Sequence, residues 1–246
     1  MENFFIFIFG LSIGSFLNCL IYRLEKNESF WRGRSYCPHC NHILSWLDLI
    51  PLFSFLILKG KCRYCNQKIS LQYPLVELST AILFILIFNQ FLISNFLNLI
   101  YYWFITSLLI IIFVYDLKHY LIPDKIIYLA IILTLFYQFQ FFSWDLIFGV
   151  LPSLFFLAII IFSKEKWLGM GDFKLAILMG LFLGWPKILI ALFLAFFIGA
   201  IIGMGLIIAN KKTLKSEIPF GPFLVAGTFL TLFLEEKIIN YYLNLF

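Results

Sequence analysis

The sequence predicts an all-α integral membrane protein with about eight transmembrane helices and a cytoplasmic zinc-binding loop between the first and second. Of its 246 residues, 63% are hydrophobic and only 13% are charged. Soluble domains are roughly 45–50% apolar and about 25% charged. Apolar runs close to the roughly 20 residues that cross a bilayer recur along the chain. Four cysteines occupy its one long polar stretch.

The apolar runs place the transmembrane spans near 4–22, 74–94, 97–115, 125–142, 146–163, 174–185, 188–209 and 219–234. Strands are not expected, because an open sheet edge leaves backbone polar groups unsatisfied in lipid. The first run has no basic segment before it and no small-residue cleavage site. We therefore expect a retained span and not a removed signal peptide.

The basic residues predict the orientation, because cytoplasmic loops carry the excess of lysine and arginine. With eight spans, sixteen of the 18 basic residues fall on one side, and only Lys187 and Lys237 fall on the other. The sixteen are Arg23, Lys26, Arg32, Arg34, Lys59, Lys61, Arg63, Lys68, Lys118, Lys125, Lys164, Lys166, Lys174, Lys211, Lys212 and Lys215. Both termini are then outside. The net charge of +5 is small for a nucleic-acid-binding protein, and we expect no such partner.

Residues 23–73 form the only sizeable segment outside the predicted membrane. They divide the chain into a first helix (1–22), a loop (23–73) and a polytopic membrane domain (74–246). The loop is too short to bury a large core and needs another source of stability. It contains two Cys-x-x-C pairs, Cys37 with Cys40 and Cys62 with Cys65.

Two such pairs supply four thiolates, the donor set of a closed structural zinc site. Nearby Arg34, Lys61 and Arg63 favour thiolates over thiols. The alternatives are two disulfides or four free thiols, and a reducing cytoplasm argues against the disulfides. A closed four-sulfur site has no open position for water, so the zinc is not expected to be catalytic.

Two aspartates are the candidate catalytic residues. Asp172 follows two glycines in Gly169-Met170-Gly171-Asp172, and Asp116 ends the third apolar run. An acidic residue beside membrane-length apolar sequence is costly and marks a candidate functional site. Two carboxylates held together share a proton, and such a pair can activate water while polarising a peptide carbonyl. The alternative is that each is a solvated residue just outside a helix end.

Other residues are candidates for a substrate cleft. Glu77 is either the partner of a basic residue or part of the cleft. Asp124 follows Pro123 and is either a helix-start residue or a cleft residue. The run Ile218–Pro222 is either a broken, re-entrant segment or a plain helix N-terminus. The cleft candidates are Gly169, Gly171, Glu77, Asp124, Pro219 and Gly221.

Seven motifs occur in an order that resembles the bacterial type IV prepilin peptidases, over nearly the whole chain. They are Gly10–Asn18 with Tyr22–Leu24, the two cysteine pairs, Ile50-Pro51, Tyr73–Leu78, Asp116 through Asp124, Gly169–Leu175, and Pro219–Pro222. One departure is Cys19, where the family often has an aliphatic residue. We interpret this cysteine as a small packed apolar side chain.

The resemblance implies an aspartic endopeptidase of the bacterial plasma (inner) membrane whose catalytic aspartates are Asp116 and Asp172. Its partners are then membrane lipid and its substrates, which are type IV prepilins or type II secretion pseudopilins. In this family the substrate is cut after a glycine at the cytoplasmic face. Because family members with the cysteine loop also methylate the new N-terminal residue, the resemblance implies S-adenosylmethionine as a methyl donor. No donor-binding motif is visible in the residues themselves.

Three alternatives remain at this point, and one of them is a family member that has lost one of the two activities. Another membrane aspartic protease with a Gly-x-Gly-Asp motif would account for Asp116 and Asp172 without methyltransferase activity, but not for the cysteine loop. A transporter or assembly factor would place the aspartates on an ion path instead.

Overall fold

The computed structural model describes residues 1–29, 33–91, 96–139, 144–165, 168–213 and 216–243, with side chains to residue 234. Residues 92–94 of the second predicted span and 140–142 of the fourth lie outside this description. So do Arg32, Lys166 and Lys215, and the side chain of Lys237.

The described residues form nine α-helices and one short 3-10 turn, Trp46–Leu49. The helices are α1 (Glu2–Lys26), α2 (Phe53–Ile57), α3 (Gln72–Phe91), α4 (Phe96–His119), α5 (Asp124–Gln138), α6 (Trp144–Ser163), α7 (Met170–Leu183), α8 (Lys187–Ile208) and α9 (Gly221–Leu243). The prediction of an all-helical membrane protein is confirmed at this level.

Each of the eight predicted spans coincides with one of the longer helices. Five of these, α1, α3, α4, α6 and α8, are long and apolar enough to cross a bilayer. The apolar part of α9 described with side chains, Gly221–Leu234, is shorter. Helices α5 and α7 have only 15 and 14 residues. The count of eight crossings therefore stays a prediction.

The chain divides into two compact units, Met1–Ile111 and Ile112–Phe246. In the first unit α1 packs along α3. Gly10 and Gly14, one turn apart on α1, allow this approach, because added Cβ atoms would lie 2.6 Å from the Cα atoms of Ala81 and Glu77. Small residues let membrane helices pack backbone to backbone, where dispersion contacts replace the missing hydrophobic driving force.

In the second unit α7 is the central element, because it packs against α5, α6, α8 and α9. Its apolar side chains are buried on nearly all sides, including Leu175, Met179 and Phe182. Gly149 of α6 and Gly180 of α7 meet backbone to backbone, since a Cβ on Gly149 would lie 2.6 Å from the Gly180 carbonyl oxygen. The start of α7, which carries Asp172, is thereby fixed within this unit.

We predict that Gly10→Ala lowers the stability of the folded protein. The added methyl would meet the backbone of α3, which can give way only if the two helices separate, and overpacking of this kind costs about 1–3 kcal/mol. The matched control is Gly205→Ala in α8, where an added Cβ meets nothing within 4 Å. Thermal unfolding in detergent checks both, and a Gly10→Ala protein as stable as Gly205→Ala would contradict the packing argument.

Candidate functional site

The carboxylate of Asp116 is buried near the end of α4, where its side chain meets the start of α9. The residue is 4% exposed. Its Oδ2 accepts a hydrogen bond of 3.0 Å from the backbone N–H of Gly221, the first residue of α9. The first N–H groups of a helix have no partner within the helix and favour an anion. The start of α9 therefore offsets the unfavourable position of Asp116 near the C-terminal end of α4.

Gly221 is required at this position for a steric reason. A Cβ added there would lie 2.6 Å from Asp116 Oδ2, closer than a carboxylate can be approached. The preceding Phe220 is anchored in an aromatic cluster, with its ring centroid 5.0 Å from that of Phe196 and 6.4 Å from that of Phe156. This anchoring fixes the backbone that presents the Gly221 N–H.

Asp172 lies inside α7, as its third residue. The helix begins at Met170, four residues before the predicted span, so the interpretation of Asp172 as lying outside a helix is wrong. Its Oδ2 accepts a 3.2 Å hydrogen bond from the N–H of Gly169, the residue that caps the helix. Asp172 thus also holds its carboxylate at a helix N-terminus.

The helix starts beside the two aspartates share a neighbour. Ile122, in the loop between α4 and α5, links their surroundings. A Cβ added to Gly171 would lie 3.0 Å from Ile122 Cβ, and one added to Gly221 would lie 3.4 Å from Ile122 Cδ1. The ends of α4, α7 and α9 therefore meet around two carboxylates.

Sequence reasoning missed Ile122 and the hydrogen bond from Gly221. No residue pattern distinguishes Ile122 from the many other isoleucines. Gly221 was selected only as part of a Pro-Phe-Gly-Pro run. The structure shows this run as a plain helix N-terminus, with Pro219 before the helix and Gly221 as its first residue.

The remaining acidic candidates have partners of different kinds. Asp124 is the first residue of α5, and its Oδ1 lies 2.6 Å from Lys174 Nζ, which also stands over the Tyr128 ring. Glu77, 6% exposed in the first unit, accepts hydrogen bonds from the Leu52 N–H at 2.8 Å and from Ser15. Among the residues that the structure describes, its partners are thus a backbone N–H and a hydroxyl, and not the basic residue considered from sequence.

The four cysteines form two similar turns. Cys37 donates its N–H to the His42 carbonyl at 3.0 Å, and Cys62 donates to the Gln67 carbonyl at 2.8 Å. In each turn an asparagine four residues after the first cysteine, Asn41 or Asn66, has a positive φ. Asparagine tolerates this left-handed backbone better than most residues. We call these two turns, residues 36–43 and 61–68, the knuckles.

The knuckles bring all four Sγ atoms within 4.8 Å of one another, and those of Cys37 and Cys65 are 3.9 Å apart. A tetrahedral zinc ion with bonds of about 2.3 Å would hold its sulfurs about 3.8 Å apart. The donor set and its spacing fit such an ion, and all five cysteines of the chain are free of disulfides.

The neighbours of the knuckles differ in part from expectation. The sequence predicts that Arg63 favours the thiolates. In the structure its guanidinium instead pairs with a carboxylate, because its Nε lies 2.7 Å from Asp48 Oδ1. His42 packs against Tyr64, with ring centroids 3.7 Å apart and the ring planes tilted by 34°.

This arrangement defines a class: a helical, multi-pass membrane protein with two aspartates at neighbouring helix starts and a four-cysteine metal module, meaning four clustered cysteines that could hold a metal ion. Two family models match the chain, the Bacterial Peptidase A24 N-terminal domain over residues 8–91 and the Type IV leader peptidase family over residues 103–204. The chain belongs to the type IV leader peptidase family, and the resemblance drawn from its motifs is confirmed.

Curated relatives match over nearly the whole chain. A prepilin leader peptidase/N-methyltransferase of Bacillus subtilis is 35% identical, covering 98% of this chain and 97% of that protein. Proteins with the same name from Aeromonas hydrophila and Pseudomonas aeruginosa are 34% and 31% identical, covering 98% and 96% of this chain and 93% and 92% of theirs. No solved structure matched the chain.

We predict that the purified protein carries about one metal ion per chain. The paired change Cys37→Ser and Cys62→Ser removes one thiolate from each knuckle, so the ion should be lost. Cys19→Ser is the matched control, because Cys19 lies in α1 outside the knuckles. Elemental analysis measures the metal content, and equal metal in the paired variant and the control would contradict the assignment.

Proposed function

We propose that this chain removes the leader peptide of type IV prepilins or type II secretion pseudopilins and N-methylates the newly exposed residue. The supporting observation is that Asp116 and Asp172 each accept a hydrogen bond at a helix N-terminus, and that Ile122 lies beside both helix starts, in a chain of this family. The names of its relatives describe both activities.

Asp116 and Asp172 are the proposed catalytic pair, and they hold one proton between them. The ionised carboxylate takes a proton from water, whose oxygen then bonds to the scissile carbonyl carbon. The protonated carboxylic acid donates a hydrogen bond to the carbonyl oxygen. As the C–N bond breaks, the leaving amine takes a proton from the pair. The two side chains act as a single titrating unit.

The proposed cleft lies around the helix starts that carry the pair. Gly169, Gly171 and Gly221 keep the backbone open near the carboxylates, and Pro219 leads into α9. The apolar helix of the substrate docks from the lipid side while its basic leader stays in the cytoplasm. Asp124 belongs to the rim of this cleft through its ion pair with Lys174. Glu77 is assigned to the cleft only by its place in a family motif.

The proposed membrane arrangement has eight crossings in the plasma membrane, with the termini outside and both aspartates at the cytoplasmic face. Residues 1–22 form the first crossing, 23–73 the cytoplasmic loop and 74–246 the peptidase domain. The asymmetry of lysine and arginine supports this orientation. Helices α5 and α7 are shorter than a full crossing, and they pack against each other.

The proposed metal is a structural zinc ion held by Cys37, Cys40, Cys62 and Cys65. Zinc would supply folding free energy to a loop without a large core. Methylation requires a donor such as S-adenosylmethionine, which the protein would bind from solution. Its binding residues are not assigned.

We predict that Asp116→Asn and Asp172→Asn each slow leader removal by about 10²–10⁴-fold, the usual contribution of general acid–base catalysis. Asparagine keeps the size of the side chain but cannot exchange a proton. The matched control is Asp145→Asn, an exposed aspartate in the first turn of α6.

Mass spectrometry of a prepilin incubated with purified protein and S-adenosylmethionine reports cleavage and methylation together. Cleavage at the wild-type rate by either variant would refute the catalytic pair. Cleavage without methylation by the wild-type protein would favour a membrane aspartic protease of narrower function.

A further prediction concerns the hydrogen bond from the Gly221 N–H that holds the Asp116 carboxylate. Gly221→Ala should slow leader removal at least about tenfold, because the new methyl would displace the Asp116 carboxylate from the N–H that holds it. Gly203→Ala in α8 is the matched control, since its Cβ would come no closer than 3.8 Å to Ile218. An active Gly221→Ala protein that unfolds at the wild-type temperature would show that this hydrogen bond does not matter.

A further inference from the structure

A short stretch of the loop exposes an unusual amount of apolar surface. It comprises the 3-10 turn and α2, residues 46–57, and we call it the apolar segment. Trp46, Phe53, Leu56 and Ile57 are 73%, 62%, 70% and 74% exposed, and Leu47, Leu49 and Ile50 are also exposed. A contiguous apolar surface of this kind in water is unfavourable and marks a protein or membrane contact.

The apolar segment is attached to a membrane helix at its centre. The N–H of Leu52, where the backbone has a φ of 58°, donates to the buried Glu77 carboxylate at 2.8 Å. Glu77 lies five residues into α3, which corresponds to about 7.5 Å along the helix axis. The middle of the segment therefore lies level with the first turns of a helix long and apolar enough to cross the bilayer.

The surface around this attachment is also apolar. Leu75 and Leu78, on either side of Glu77 in α3, are exposed, as is Phe16 of α1. Exposed leucine and phenylalanine on a helix that crosses a bilayer are expected to face lipid. The apolar segment is thus attached to the part of α3 that carries such side chains.

The charge next to the segment suits anionic headgroups. Lys59, Lys61, Arg63 and Lys68 follow it within eleven residues and are exposed. Apolar side chains combined with nearby lysine and arginine are typical of segments that lie in the membrane interface, where each basic residue near an anionic surface contributes about 1 kcal/mol. Tryptophan, as at position 46, is enriched at the same depth.

The second knuckle holds the segment from its other side. Asp48, in the 3-10 turn, accepts hydrogen bonds from Arg63 Nε at 2.7 Å and from the Tyr64 hydroxyl at 3.0 Å. Burial opposes ionisation of Asp48, but hydrogen bonds from Ser45, Arg63 and Tyr64 outweigh it and lower the pKa of this carboxyl. The knuckle and Glu77 together fix which side chains the segment exposes.

We propose that residues 46–57 form an interfacial membrane anchor, which inserts its apolar side chains between the lipid headgroups of an anionic leaflet and is held in place by the second knuckle and Glu77. The metal module then has a structural role beyond the loop itself, because it orients a membrane-bound segment. Attachment to α3 and the neighbouring basic residues favour lipid over a protein partner as the occupant.

Photocrosslinking tests the proposal on the full chain in nanodiscs that contain phosphatidylglycerol. A benzoylphenylalanine residue replaces Phe53, with Leu75 as the lipid-facing reference and Asn41, exposed on the first knuckle, as the water-facing control. After irradiation, mass spectrometry should find lipid adducts at position 53 at a yield similar to that at position 75 and at least about tenfold above that at position 41. A yield at position 53 equal to that at position 41, or crosslinks there only to protein, would overturn the proposal.

A conservative variant provides a second measurement that does not depend on incorporating the label. Phosphatidylglycerol brominated near the headgroup quenches tryptophan that touches it. Trp46→Phe keeps the apolar surface but removes this fluorophore, so the fluorescence intensity lost on quenching, per mole of protein, should be smaller in the variant than in the wild type. An equal loss would mean that Trp46 does not contact lipid and would contradict the proposed anchor. Neither measurement depends on leader cleavage, so both are independent of the proposed function.

Discussion

The hydrogen bond from the Gly221 N–H to Asp116 is the interaction on which the candidate active site depends. A carboxylate buried near the C-terminal end of its own helix is electrostatically unfavourable unless another positive group meets it. The start of α9 supplies that group, and only glycine allows the required approach. Three features are therefore parts of one arrangement: the position of Phe220 among other aromatic rings, the beginning of α9 at Gly221, and the burial of Asp116.

The acidic residues fall into two groups according to the partners of their carboxylates. Asp48 and Asp124 lie within 2.7 Å of an arginine or lysine nitrogen, and such an ion pair suits a structural contact. Asp116 and Asp172 instead accept backbone N–H groups, the first at 3.0 Å and the second at 3.2 Å. A backbone N–H orients a carboxylate without adding a full positive charge. Such a carboxylate can still gain and lose a proton, as acid–base catalysis requires.

Sequence reasoning succeeded where the signal is local. Hydrophobic runs located the longer helices, and the cysteine spacing located the four-sulfur cluster. Sequence reasoning failed where capping or a tertiary contact determines the structure. The start of α7 at Met170 depends on capping, which hydropathy does not record. The pairing of Arg63 with Asp48 depends on a contact between residues that are separated in the chain. The proximity of Asp116 to Asp172 was a prediction from chemistry, because no local pattern specifies it.

Ile122 explains why the two aspartates are expected to behave as one unit. The chain turns at Tyr120, which has a φ of 56°, and then places Ile122 against both Gly171 and Gly221. The first glycine precedes Asp172, and the second holds Asp116. A shift of this loop must therefore disturb the surroundings of both carboxylates at once. Since a shared proton requires a constant separation, a single side chain that contacts both helix starts is an effective means of maintaining it.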